Sequence, residues 1–128
     1  LDFVTGAIYY IFGTLQDTVE EKYQTIIAPI EAALASAPPL LYAAGHDHNL
    51  QVMEGDGLAD YQVVSGAGAT IRVGDGHVTD IDETLCAHGH AGFMVVDFIA
   101  TELGEKALLH VIETDHAAPV FSIDMGSY

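Results

Sequence analysis

Leu40-Leu41-Tyr42-Ala43-Ala44-Gly45-His46-Asp47-His48-Asn49-Leu50-Gln51 is the stretch on which the fold turns. An uninterrupted apolar run, 40 to 44, leads into a glycine and then two histidines one residue apart. Such a run reads as a strand buried on both faces of a sheet. Histidines just beyond its C-terminal end stand where open α/β sheets collect their sites. Gly45 would let the backbone turn sharply and come close to a ligand. Imidazole is the commonest neutral metal ligand near neutral pH. In an extended turn, residues two apart point the same way, so both rings could serve one ion or two neighbouring ions.

The surrounding pattern separates the chain into a helical and a β-rich part. Asp17 followed by Glu20 forms a capping pair for a helix from Thr18 to Ser36. Tyr23, Ile26, Ile27, Ile30 and Leu34 recur at helical spacing and form its expected buried stripe. Pro29 should kink or split that helix, and Pro38-Pro39 ends it. Leu50 to Met53 and Tyr61 to Ser65 flank Glu54-Gly55-Asp56-Gly57 and read as a hairpin. Further strands are expected at 69–73, 93–99, 107–113 and 120–125, with a connection over Leu103-Gly104-Glu105. The layout is an apolar lead-in over 1–17, a helix over 18–37 and a β-rich part over 40–125 that contains the histidine motif. This is one domain of α/β class, α+β taken alone, and it reads as part of a layered fold.

Composition excludes several roles. Half of the 128 residues are hydrophobic, enough for a packed core, and the formal net charge is -16. Nineteen acidic residues face three basic ones, Lys22, Arg72 and Lys106. Such a field repels nucleic acid and anionic membranes and attracts cations. About ten apolar residues near the start are too few to span a bilayer. The lone cysteine, Cys86, excludes an intramolecular disulfide and reads as a small core residue. No secretory signal is visible, and the compartment is not legible.

Gly45-His46-Asp47-His48-Asn49-Leu50-Gln51, followed by Tyr61-Gln62-Val63-Val64-Ser65-Gly66-Ala67-Gly68 and by Ala91-Gly92-Phe93 entering a strand, resembles the C-terminal part of the calcineurin-like metallophosphoesterase superfamily, near its purple acid phosphatase branch. The resemblance implies the C-terminal portion of a four-layer sandwich of two mixed sheets flanked by helices. It implies two divalent or mixed-valence ions (Fe, Zn or Mn), with His46 ligating one and His48 the other, and a phosphate-ester substrate attacked by a metal-bound hydroxide. Gly45 and Asn49 would shape the motif, Asn49 by an Asx-type bond, while Asp47 points outward. The family's earlier motifs (Asp-x-His, Gly-Asp, Gly-Asn-His and a lone histidine) do not occur before His46. No catalytic residue is therefore identifiable in this segment. About one protein ligand per ion implies weak or absent metal binding and little catalysis by the chain alone. Its expected partners are a missing N-terminal half or copies of itself. The alternative role is a non-catalytic structural or self-assembling β-rich module. Export is a trait of many family members and is implied only in that sense.

His88 and His90 form a second His-x-His, expected at the rim of the site. His77, His110 and His116 read as surface or satisfied core residues, and Asp75, Asp80, Asp82 and Glu83 as a solvated acidic loop.

Overall fold

The computed structural model describes residues 21–45, 47–55, 57–68 and 81–127. The chain divides between Pro38 and Pro39 into two compact units. In the first, helix α1 runs unbroken over Glu21–Ser36 with Pro29 inside it. It is not split at the proline. Of the expected buried stripe, Ile27 and Leu34 are half-buried, while Ile26 is 61% and Ile30 44% exposed. Helical spacing shows which side chains share a face, not whether anything covers that face. Asp17 and Glu20 lie outside the described residues. The helix ends where Ala37 N–H reaches the Leu34 carbonyl at 3.0 Å, ahead of the two prolines.

The second unit holds two sheets. The first has the order β1-β3-β2-β4, built from β1 (Leu41–Ala44), β2 (Leu50–Glu54), β3 (Tyr61–Ser65) and β4 (Thr84–His88). The expected β2–β3 hairpin is present, with Leu50 opposite Ser65 and Glu54 opposite Tyr61. Gly57, with φ of 98°, supplies the left-handed position its turn needs. β1 departs from expectation. Among the described residues it lies at the edge, parallel to β3 alone, and Tyr42, Ala43 and Ala44 are exposed. An apolar run of this length fits an edge as well as a centre, and the buried positions of this sheet fall on β2, β3 and β4 instead. Strand β4 follows the acidic turn at Asp82-Glu83 and pairs with β2 through a bulge between Val52 and Met53. Sequence pattern did not single it out, because Leu85-Cys86-Ala87 is short and lacks the β-branched residues that mark strands.

The second sheet has the order β5-β6-β7, with β5 (Gly92–Thr101), β6 (Gly104–Glu113) and β7 (Phe121–Asp124). β5 and β6 form a long hairpin closed at Gly104, whose φ is 130°. Its strands are longer at their ends than the expected 93–99 and 107–113. On β6, Ala107, Leu109 and Val111 are fully buried and alternate with half-buried residues. They join Leu50, Val52, Val63 and Cys86 of the first sheet in one core, so the sheets pack face to face. The expected strand at 69–73 lies outside the described residues.

β1, β3 and β4 run in the same direction, so their C-terminal ends share one end of the sheet with the start of β2: Ala44 is level with Val64, and Leu50 with both Ser65 and His88. The second sheet meets this end through Gly92 N–H to the Ala67 carbonyl at 3.3 Å, beside Thr114 N–H to the Ala91 carbonyl at 2.9 Å, which extends the β5–β6 ladder. The join is close. A Cβ on Gly66 would run into the Asp47 carbonyl, and one on Gly92 into the Ile112 carbonyl and Leu50 Cδ1. One on Gly45 would meet nothing within 4 Å. Tight backbone packing between protein segments is thus found at Gly66 and Gly92. Gly92→Ala should lower unfolding free energy by about 1–3 kcal/mol, the usual range for overpacking. Gly45→Ala should change it far less, and urea denaturation of both variants measures the difference.

Candidate functional site

Four connections converge at the shared end: residues 45–49 after β1, 66–68 after β3, 89–91 between β4 and β5, and 114–120 between β6 and β7. Among the site residues expected from sequence, His46 lies outside the described residues. His48 and Asp47 are exposed on the first connection. Asn49 is buried at 1% exposure, and its Oδ1 accepts from Gln51 Nε2 at 3.0 Å. The loop is further fixed by Asn49 N–H to the Asp47 carbonyl at 2.8 Å and by Gly66 N–H to the Asn49 carbonyl at 3.1 Å. Asn49 thus packs into the interior beside β2.

The structure gathers the second histidine pair around a residue that sequence reading passed over. Glu113 ends β6 and continues the inward row of Ala107, Leu109 and Val111, with only 2% exposure. A buried carboxylate needs donors to replace lost water. His88 Nδ1 donates to Glu113 Oε1 at 2.5 Å. His116 Nδ1 stands 3.2 Å and His90 Nδ1 3.5 Å from the other oxygen, Oε2. His116 Nδ1 also reaches Asp115 Oδ1 at 3.0 Å. That contact, Asp115's own backbone N–H and the charges of His116 and His90 hold the Asp115 carboxyl below its usual range. Ligand atoms of His90, Glu113 and Asp115 lie within 4.8 Å of one another, so this group could hold a metal ion. His116, expected to be isolated, belongs to the cluster. His110 instead sits on the outer face of the second sheet, with Ser122 at 2.7 Å and Asp97 at 3.5 Å.

One signal for Glu113 was present in the sequence. The alternation of β6 that makes 107, 109 and 111 inward also makes 113 inward, and a charged residue on a core face calls for a partner. His88 and His90 come from the end of β4 and the connection after it, far from Glu113 in sequence, which alternation does not connect.

The cluster's charge reaches the core. Burial, and then the nearby Glu113 carboxylate, push the Cys86 thiol up to about 11. Its raised value means that the folded state keeps the proton: stability is full below pH 9 and falls as pH rises toward 11. At pH 8 the thiolate population is about a hundredfold lower in the folded than in the unfolded chain. Iodoacetamide should therefore label the native protein at least that much more slowly than urea-unfolded protein, as read by intact mass. Equal rates would contradict the burial of this thiol.

No family model matches the sequence, and no curated protein sequence matches it. Among solved structures, the chain is similar to GAP50, titled the anchor in the inner membrane complex of Plasmodium, with a TM-score of 0.63 and 17% identity. The match covers 84% of this chain and 31% of that one, so this chain spans about a third of the length of the structure it resembles. One helix followed by two β-sheets is thus a mixed α/β arrangement that matches part of that larger chain in fold.

Proposed function

We propose that this chain is the C-terminal part of a metallophosphoesterase-type domain in which His46 and His48 each reach one ion of a two-metal centre that hydrolyses phosphate esters. The observation that carries this reading is the fold match, taken with a His-Asp-His loop that leaves β1 at its C-terminal end. Such strand ends are where α/β sheets hold their ligands. Metal ions there would supply charge neutralisation and an activated water. The chain's own part is narrower. The motif offers two neutral nitrogen donors, one per ion, on a loop that Asn49 and Gly66 hold against the sheet. Those donors fit part of such a centre, and the remaining ligands would come from residues outside these 128. The formal charge of -16 opposes an anionic substrate, so the reading also requires the ions to reverse the local sign.

A second reading has its own support. Phe93, Phe98 and Ile99 on β5 are 49%, 64% and 41% exposed, and among the described residues β5 is an edge strand. Exposed edges and apolar faces favour pairing between copies. The similar structure is titled an anchor, which is a structural role. In this reading the scaffold persists without the chemistry, and a second copy covers β5. Among the described residues, no helix is long and apolar enough to cross a membrane.

Paramagnetic Mn2+ separates the two readings. In a His90→Ala background, which removes one ligand of the Glu113 cluster, Mn2+ should broaden the His46 and His48 ring signals first, with weak affinity. The 128-residue chain should still hydrolyse p-nitrophenyl phosphate no faster than buffer. If Mn2+ leaves both rings untouched while the chain sediments as a concentration-dependent oligomer, the structural reading replaces the first.

A further inference from the structure

The two oxygens of Glu113 face different surroundings. Oε1 is held by His88 Nδ1, whose side chain is 37% exposed, while the Glu113 side chain itself is 3% exposed. Oε2 faces the outer members of the cluster: His116 Nδ1 at 3.2 Å and His90 Nδ1 at 3.5 Å. Asp115 adds a second carboxylate, and its Oδ1 is 3.0 Å from His116 Nδ1. The cluster is therefore a buried, braced carboxylate with a histidine and an aspartate in front of it. Purely solvated acidic loops do not have this construction.

The spacing suits a small cation. A tetrahedral ion with ligand distances of about 2.0–2.2 Å separates its ligand atoms by about 3.3–3.6 Å. The His90 to Glu113 separation of 3.5 Å is already such an edge. Ligand atoms of the full His90, Glu113 and Asp115 set lie within 4.8 Å of one another, so small rotations of the exposed members close it. His90 and Asp115 are free to make them, with side chains 67% and 69% exposed.

We propose that His90, Glu113 and Asp115 bind one divalent ion of the zinc class, Zn2+, Co2+ or Ni2+, at a site separate from His46 and His48. One imidazole and two carboxylates match the preference of these borderline ions, whereas Ca2+ and Mg2+ take more oxygens and fewer nitrogens. The two carboxylates neutralise the ion's charge. His88 serves as the outer partner that fixes the orientation of Glu113, a role that ligating groups commonly need. His116 bonds both carboxylates and positions them, and water completes the fourth place. The net charge of -16 raises the local cation concentration around the whole surface. A bound ion would tie the 89–91 and 114–116 connections to the buried end of β6, so it favours the folded state.

The test is Zn2+ titration of the 128-residue chain by calorimetry, with thermal unfolding as a second readout. The expected result is one saturable Zn2+ per chain and a rise in melting temperature, with no such rise in equal Mg2+ or Ca2+. His90→Ala, at an exposed position that leaves the core intact, should weaken binding about tenfold or more. Asp115→Asn should do the same, while a His46→Ala, His48→Ala double variant keeps the affinity. Absence of saturable binding, an unchanged affinity in His90→Ala, or loss of binding only in the double variant would overturn the proposal.

Discussion

A carboxylate inside the core is the constraint on which the functional end of this molecule depends. Glu113 stands in line with Ala107, Leu109 and Val111, at a position that the geometry of β6 turns inward. Burying an ionised carboxylate without donors is severely unfavourable. The fold answers with three imidazoles, His88 at the end of β4 in the other sheet and His90 and His116 on the two neighbouring connections. The contact is therefore also a bond between the two sheets. It lies where the backbone joins the sheets most closely, at Gly92 and Ala67. Cys86, two residues before His88 on β4, responds to the same charge through its raised thiol pKa.

This end of the sandwich is also where the Gly45-His46-Asp47-His48 loop emerges. The same register that brings His88 level with Leu50 puts Asn49 at the start of β2, buried and bonded to Gln51. Both histidine pairs thus follow strands of one sheet that point the same way. His48, His88, His90 and His116 lie at this end, and an acidic chain attracts cations there. The similarity to GAP50 is one of fold, at 17% identity over about a third of that chain. Such a fold can carry chemistry or serve as scaffold, and the side chains at this end decide which.

Much of the architecture was legible in the sequence, for identifiable reasons. Alternation and turn residues located the β2–β3 hairpin and the long β5–β6 hairpin, because period-two patterning and glycine turns are local signals. The helix was legible from its spacing and its terminating prolines, yet its exposed Ile26 and Ile30 were not, because burial depends on what lies opposite. The same cause misplaced β1 at the centre of its sheet. At the site, His88 and His90 stood out as a pair. Their partner Glu113 did not, because the contact joins residues 25 apart through a pairing that no local pattern encodes. The tight packing at Gly66 and Gly92 was not legible, because it depends on Asp47, Ile112 and Leu50 lying opposite them.

The central claim is that the His88–Glu113 contact holds the two sheets together at this end. A double-mutant cycle of His88→Ala, Glu113→Gln and the combined variant, read by urea denaturation, tests it most directly. Contacting residues in a shared network couple by about 0.5–3 kcal/mol, and the account predicts a coupling in the upper half of that range. A coupling near zero, with the two single changes simply adding, would contradict it.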